Sequence, residues 1–184
     1  MPVFEAPALA RVFAVQVDDA IRTRRTVKAY DPAPVEREVL DQLFDLARWA
    51  PNHNLTEPWR FRVLGPEALA ALKEAAGPEA AAKLDRAPTL VVASVVQGGE
   101  DPVADEEDLL ATGVATYIVL IGAHARGLSG YWRTPAVLRT DEGRAAVGVA
   151  EGEHVLGLIH LGRGKQEKVP PPRSEAGAFV TYLA

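Results

Sequence analysis

Leu9, Val12, Phe13, Val17, Ala20 and Ile21 recur every three or four positions, the spacing that gathers apolar side chains on one face of a helix. The turn Asp31–Pro32–Ala33–Pro34 then breaks the chain. A second helix follows, with Val35, Val39, Leu40, Leu43, Phe44 and Ala47 on one side. It stops near Ala50, because Pro51 disfavours helical geometry in the residue before it. The period next changes from helical to alternating: Trp59, Phe61 and Val63 are interleaved with Arg60 and Arg62, the signature of a half-buried strand. Pro66 opens a short helix that ends near Gly77. The run TLVVASVV, residues 89–96, is β-branched and bounded by Pro88 and Gly98–Gly99, so it reads as an interior strand.

The acidic loop GGEDPVAD feeds a long helix from about Asp105 to Arg126, with acids in its first turn and His124 and Arg126 in its last, as the helix dipole favours. Gly127 is a natural stop. The middle of this helix, VATYIVLIGA, is apolar almost all round, which places it inside the protein or at a subunit interface. The apolar stretch Ala111–Ala123 falls short of the roughly 18 residues of a membrane span. A short strand around Gly130–Trp132, a helix from Pro135 and a strand from His154 to Leu161 complete the core. The tail runs through VPPPR to a strand-like AFVTYL, an arm suited to reaching away from its own core. The chain shows no internal repeat and no second domain, and its 184 residues suffice for one domain with a substantial core.

Composition narrows the function. A hydrophobic content of 48% with 24% charged residues is that of a globular domain, not a disordered chain. A net charge of −5 argues against general nucleic-acid binding. With no cysteine, disulfides, thiolate catalysis and iron–sulfur sites are excluded. The start, MPVFEAPALARVF, lacks a basic leader segment and carries Glu5, so a soluble cytoplasmic protein is expected, with no membrane association.

Several familiar signatures fail. Gly162–Arg163–Gly164 follows a strand but lacks the third glycine and the helix of a dinucleotide fingerprint, and Gly164–Lys165 is followed by Gln166 where a P-loop needs a hydroxyl. GLSGY has Tyr131 where a nucleophile elbow needs glycine. His154 and His160 lie six residues apart on a strand, about 20 Å, too far to share a metal. Metal and acyl-transfer chemistry are not expected, and no catalytic side chain is assigned.

Two stretches remain. Arg22, Arg24, Arg25 and Lys28 crowd seven positions of an acidic chain, with Thr26 among them. Guanidinium and hydroxyl groups in such a cluster suit a phosphate; the same cations also suit the C-terminus of the preceding helix. The second stretch, ARWAPNHNLTEPWRF from Ala47 to Phe61, ends a helix in a polar loop before a strand begins. Such a loop either recognises a heteroaromatic ring or simply connects two elements.

Taken in order, RRTVKAYDPAPVEREVLDQLFDLARWAPNHNLTEPWRF, ATGVATYIVLIGAHARGLSGYWRT and HVLGLIHLG resemble the FMN-dependent nitroreductase family, in its small single-domain form. The resemblance runs from about Asp18 to Ala184 and leaves residues 1–17 as an N-terminal extension, with residues 18–184 as one domain. It implies an α+β fold, a mixed sheet flanked by helices, in a homodimer that exchanges C-terminal strands. It implies that Arg24, Arg25 and Thr26 bind the FMN phosphate and ribityl side, and that Lys28 lies near the flavin N1/O2 edge. Trp49, at a position where an arginine often stands, and His53 match loop residues that reach FMN from the partner subunit. Trp132, Arg133 and Thr134 match a second FMN segment. Gly122, Ala123, His124, Ala125, Arg126 and Gly127 match a stretch associated with NAD(P).

The implied activity is an NAD(P)H oxidoreductase that reduces nitroaromatics, quinones or similar electron-poor molecules by a ping-pong mechanism, with the redox work done by the flavin. The alternative that the resemblance leaves open is the same fold binding FMN for another reaction, flavin fragmentation or dehalogenation, or as a non-catalytic flavin carrier or regulator.

Overall fold

The computed structural model describes residues 16–183. Its helices are α1 (Val17–Thr23), α2 (Arg37–Ala47), α3 (Pro66–Ala81), α4 (Pro102–Ala125) and α5 (Asp141–Ala146), and its strands β1 (Trp59–Val63), β2 (Thr89–Val96), β3 (Ser129–Arg133) and β4 (Glu153–Gly162). The strands form one sheet in the order β1-β2-β4-β3, with every neighbouring pair antiparallel. A parallel element is confined to an isolated bridge between Thr26 and Gly130 beside β3.

The sheet is covered on both faces, which explains why β2 and β4 read as continuous apolar runs. Val91 and Ala93 of β2, with Ile159 and Leu161 of β4, pack on one face beneath Leu40, Leu43 and Ala47 of α2 and Ala115, Val119 and Ala123 of α4. Leu90, Val92 and Leu158 point the other way, onto Leu72 of α3 and onto Leu84, Val137, Leu138 and Val147. The architecture is α+β, a small antiparallel sheet flanked by helices.

Helix α4 starts three residues before the expected Asp105. Asp101 caps it, its carboxylate accepting from the N–H of Val103 at 2.9 Å and of Ala104 at 3.4 Å. At 24 residues and a mean hydropathy of 1.4 over its most apolar window, α4 is long and apolar enough to cross a membrane by length and composition, beyond what Ala111–Ala123 alone suggests. One side of it is nevertheless committed to the core. Gly122 lets α2 approach closely: a Cβ there would stand 3.1 Å from Leu43 Cδ2 and 3.1 Å from Leu46 Cδ1. The opposite side leaves Leu110 64% exposed, with Val114 and Tyr117 in line one and two turns on.

Other elements shift in detail. Helix α3 breaks at Gly77, whose φ of 74° lies in the left-handed region, and then resumes through Pro78 to Ala81. The expected helix at Pro135 resolves into a 3₁₀ turn, Ala136–Arg139, followed by the short α5. In α1 only Ala20 is buried, while Val17 and Ile21 are exposed. Leu9, Val12 and Phe13, with almost all of the expected N-terminal extension, lie outside the described residues. Phe179–Leu183 forms no strand: residues 163–183 are exposed, and beyond the single bridge at Gly164 they carry only the 3₁₀ turn Ala176–Ala178. A strand needs a neighbour to pair with, and this segment has none among the described residues.

Candidate functional site

Three chain segments lie side by side along the edge of β3. Thr26 bridges Gly130, and Tyr30 bridges Gly164. The Asp31 N–H donates to the Arg163 carbonyl at 2.9 Å, and the Lys165 N–H donates to the Ala29 carbonyl at 3.0 Å. Gly130 and Gly164 permit this closeness: a Cβ would sit 2.6 Å from Leu120 Cδ2 at the first and 2.4 Å from Ser129 Oγ at the second. The arrangement puts the Arg24–Lys28 cluster next to the strand that carries Trp132 and Arg133, with Thr134 following. It also adds Arg163 and Lys165, which the sequence reading passed over because Gly162–Lys165 was tested only as a dinucleotide or P-loop signature. Two glycines interleaved with two cations directly after a strand were the available signal.

Within this edge the guanidinium groups divide their work. Arg25 donates from Nη1 to the Arg24 carbonyl at 2.5 Å and from Nη2 to the Arg22 carbonyl, so part of the cluster does cap the end of α1. Arg24 Nε, Arg25 Nε and Arg133 Nη1 are buried and have no hydrogen-bond partner among the described residues. A buried guanidinium N–H without an acceptor carries an uncompensated desolvation cost, and a phosphate supplies the acceptors such a set lacks. Lys28 is exposed, its Nζ 5.3 Å from the centroid of the Tyr131 ring. Trp132 turns its indole inward against the α2–α4 core and donates from Nε1 to the Leu156 carbonyl at 3.2 Å.

Beneath this edge the sheet carries two neutral polar rings. His160 is fully buried, its imidazole 5.5 Å from the Tyr131 ring, and neither ring nitrogen has a partner. Burial, and then the charges of Arg133 and Arg86, push its pKa down to about 4. Tyr30 donates its hydroxyl to the Val27 carbonyl at 2.5 Å, and burial, with Tyr131 nearby, raises its pKa well above the ordinary tyrosine value.

The stretch at the end of α4 separates into two parts. Gly122 and Ala123 are buried and pack against α2. His124, Ala125 and Arg126 are half-buried and Gly127 is exposed. His124 Nε2 lies 2.8 Å from Thr23 Oγ1. Burial and the neighbouring Arg24 and Arg25 charges lower the His124 pKa. Arg126 donates from Nε to Gln42 Oε1 at 3.2 Å and from Nη1 to the Gly122 carbonyl at 3.1 Å.

His53 is not brought to this site by its own chain. Trp49 is 73% exposed, with the Arg48 guanidinium 5.6 Å from its ring centroid. His53 Nδ1 lies 3.1 Å from Glu107 Oε2. Glu107 and His124 lie near opposite ends of α4, roughly 25 Å apart at a rise of 1.5 Å per residue. His53 therefore cannot share a ligand with the Arg24 cluster of the same chain.

Comparisons with known proteins agree with the fold. The sequence model of the nitroreductase family matches residues 21–83. The chain is 30% identical over 184 aligned residues to the Escherichia coli (strain K12) protein named Putative NAD(P)H nitroreductase YdjA, covering 89% of this chain and 96% of that one. The fold matches the crystal structure of a nitroreductase-like family protein from Bacillus cereus with a TM-score of 0.82 at 20% identity, over 92% of this chain and 96% of that one. It also matches the FMN and NADPH-dependent nitroreductase NfnB from sphigopyxis sp. strain HMH with a TM-score of 0.77 at 16% identity, over 92% and 100% of the two chains. This chain belongs to the nitroreductase family.

Proposed function

We propose that the protein is an FMN-dependent NAD(P)H oxidoreductase that reduces nitroaromatics, quinones or similar electron-poor small molecules in the cytoplasm, working as a homodimer with shared flavin sites. The observation that carries the reading is the set of buried, unpartnered guanidinium N–H groups of Arg24, Arg25 and Arg133 on two adjoining segments. The relatives add to it, since NfnB is described as FMN and NADPH-dependent and the E. coli relative as an NAD(P)H nitroreductase.

In this reading Arg24, Arg25 and Arg133, with Arg163 and Lys165 alongside, hold the phosphate and ribityl side, and Thr26 adds a hydroxyl. Lys28 supplies a cation that favours negative charge on the bound ring. With FMN held there, the site would have the redox chemistry that links NAD(P)H oxidation to reduction of the acceptor.

The dimer is supported by what one chain leaves uncovered. The stripe Leu110, Val114 and Tyr117 on α4 is exposed, and Phe179, Tyr182 and Leu183 of the tail are 75%, 94% and 91% exposed. Joining two chains through α4 would cover the stripe and carry His53 and Trp49 toward the partner's Arg24 edge. Anaerobic mixing of the purified flavoprotein with NADH or NADPH tests the reading. Bleaching of the flavin band, its return on adding menadione, and parallel double-reciprocal lines are expected. A colourless folded protein that takes up no added FMN, or a flavin that neither nucleotide bleaches, overturns it.

A further inference from the structure

A cleft of about 510 Å³, a volume within the range of small-molecule sites, opens beside the Trp132–Thr134 segment. Its floor is apolar, made by Leu109, Leu138, Val155 and Leu156. Its walls carry Arg139, Arg144 and His154, and no carboxylate lines it. In a chain with 25 acidic residues against 20 basic ones, three basic side chains in one cleft with no carboxylate among its lining residues make a local exception.

The basic groups are not consumed by the protein. Among the described residues, no ion pair involves Arg139, Arg144 or His154. Arg144 is fixed in place rather than neutralised: its Nη2 donates to the Glu153 carbonyl at 3.0 Å and the Ala150 carbonyl at 3.5 Å. The Glu153 carboxylate beside it is already taken by Arg62 and Ser94. A positioned guanidinium at one wall and a free one from Arg139 leave open donors for a planar anion, over a floor that accepts a flat apolar body.

We propose that this cleft binds an aromatic carboxylate, with the ring on the Leu138–Leu156 floor and the carboxylate between Arg139, Arg144 and His154. The chemistry selects this class. A guanidinium pairs with a carboxylate through two parallel hydrogen bonds, and the apolar floor rejects a small inorganic anion. Thr134 at the rim connects the cleft to the segment assigned to the flavin. The role of the ligand as the electron acceptor rests on the proposed oxidoreductase function; its binding does not.

The test uses the full-length protein loaded with FMN where it takes it up. Calorimetry with 4-nitrobenzoate, benzoate and nitrobenzene is repeated on Arg139→Ala and His154→Ala chains, with folding checked by circular dichroism. Both benzoates are expected to bind, nitrobenzene at least about 10-fold more weakly, and Arg139→Ala to weaken the benzoates by about 10- to 100-fold while leaving nitrobenzene unchanged. Restoration of binding by Arg139→Lys in part, but not by Arg139→Gln, supports a charge contact. Equal binding of all three compounds, or benzoate binding indifferent to both substitutions, overturns the proposal even if the protein reduces nitroaromatics. Displacement of benzoate by 2′,5′-ADP at lower concentration would assign the cleft to a nucleotide phosphate and overturn it as well. If benzoates bind as expected but neither NADH nor NADPH bleaches the flavin, the cleft stands and the oxidoreductase reading falls.

Discussion

Thr23 Oγ1 and His124 Nε2 lie 2.8 Å apart and tie the last residue of α1 to the last turn of α4 across 101 positions of sequence. The Thr23 hydroxyl already donates to the Asp19 carbonyl at 2.5 Å, so it accepts from the ring. The neutral imidazole therefore carries its proton on Nε2 and leaves Nδ1 as the acceptor. Arg24 and Arg25, the residues assigned to the phosphate, stand close enough to lower the His124 pKa. An anion seated on those guanidinium groups offsets their charge, so the His124 pKa is expected to rise when FMN binds. A proton-NMR titration of His124 with and without FMN reads this directly. An unchanged titration curve places the phosphate elsewhere.

The paired loss of Arg24 and Arg133 is expected to strip the flavin. A charge-assisted contact contributes about 1.5–3 kcal/mol, so Arg24→Ala with Arg133→Ala weakens FMN by about 100- to 10,000-fold. Flavin absorbance after dialysis, with circular dichroism to confirm folding, checks it. Full occupancy in a folded double variant contradicts the site.

Composite sites make a prediction that single-chain sites do not. If Arg24→Ala and His53→Ala each lower flavin binding alone, a heterodimer of the two chains holds one site with both lesions and one with neither, and regains about half the normal flavin. Deleting residues 179–184 loosens the dimer and lowers occupancy together, because an obligate interface of about 2,000 Å² or more draws on such apolar arms. Light scattering at micromolar concentration decides: a flavin-loaded monomer rules the composite site out.

Arg62 and Glu153 hold the far side of the sheet. Arg62 Nη1 donates to Glu153 Oε2 at 2.8 Å and Nη2 to Oε1 at 2.6 Å, while Ser94 Oγ donates to Oε2 at 2.5 Å. Burial alone would raise the Glu153 pKa, but the hydrogen bonds from Arg62 and Ser94 and the Arg62 charge hold it below its ordinary value. Arg62→Ala leaves a buried carboxylate without its partner and is expected to cost about 3–5 kcal/mol in urea unfolding. The pair's contribution is present above the ordinary glutamate pKa and fades as pH falls through the lower folded value. A loss under about 1 kcal/mol refutes this role.

His160 imposes the matching dependence at higher pH. Its folded pKa of about 4 lies below the ordinary 6.5, so the unfolded chain binds the extra proton first. Stability is complete above pH 6.5 and declines as pH falls toward 4, by about 3 kcal/mol at most. His160→Phe is expected to flatten unfolding free energy across that window, measured in urea at pH 4.5, 5.5 and 6.5. An unaltered slope would show that other groups set it.

The elements that one segment could specify by itself were written in the chain. Amphipathic spacing at Val39–Ala47, β-branched residues in TLVVASVV and the glycine at position 127 act on neighbours a few residues away, so the helix, the central strand and the stop were legible before folding. The family pattern marked Arg24, Arg25, Arg133 and Thr134 for the same reason, as residues at fixed short spacings. What depends on contacts between distant segments was not legible. Alternation placed Arg62 on a solvent face, whereas it is half-buried because Glu153, 91 residues on, turns its carboxylate toward it. That Gly122 lets Leu43 and Leu46 of α2 come close was likewise visible only in the fold. Arg163 and Lys165 joined the basic edge only when Tyr30 paired with Gly164, and Arg139, Arg144 and His154 became one cleft only when the chain after β3 folded back on β4. Local periodicity reports which face of an element is buried; which charges meet across the core is decided by long-range packing, where desolvation forces each buried polar group to find a partner.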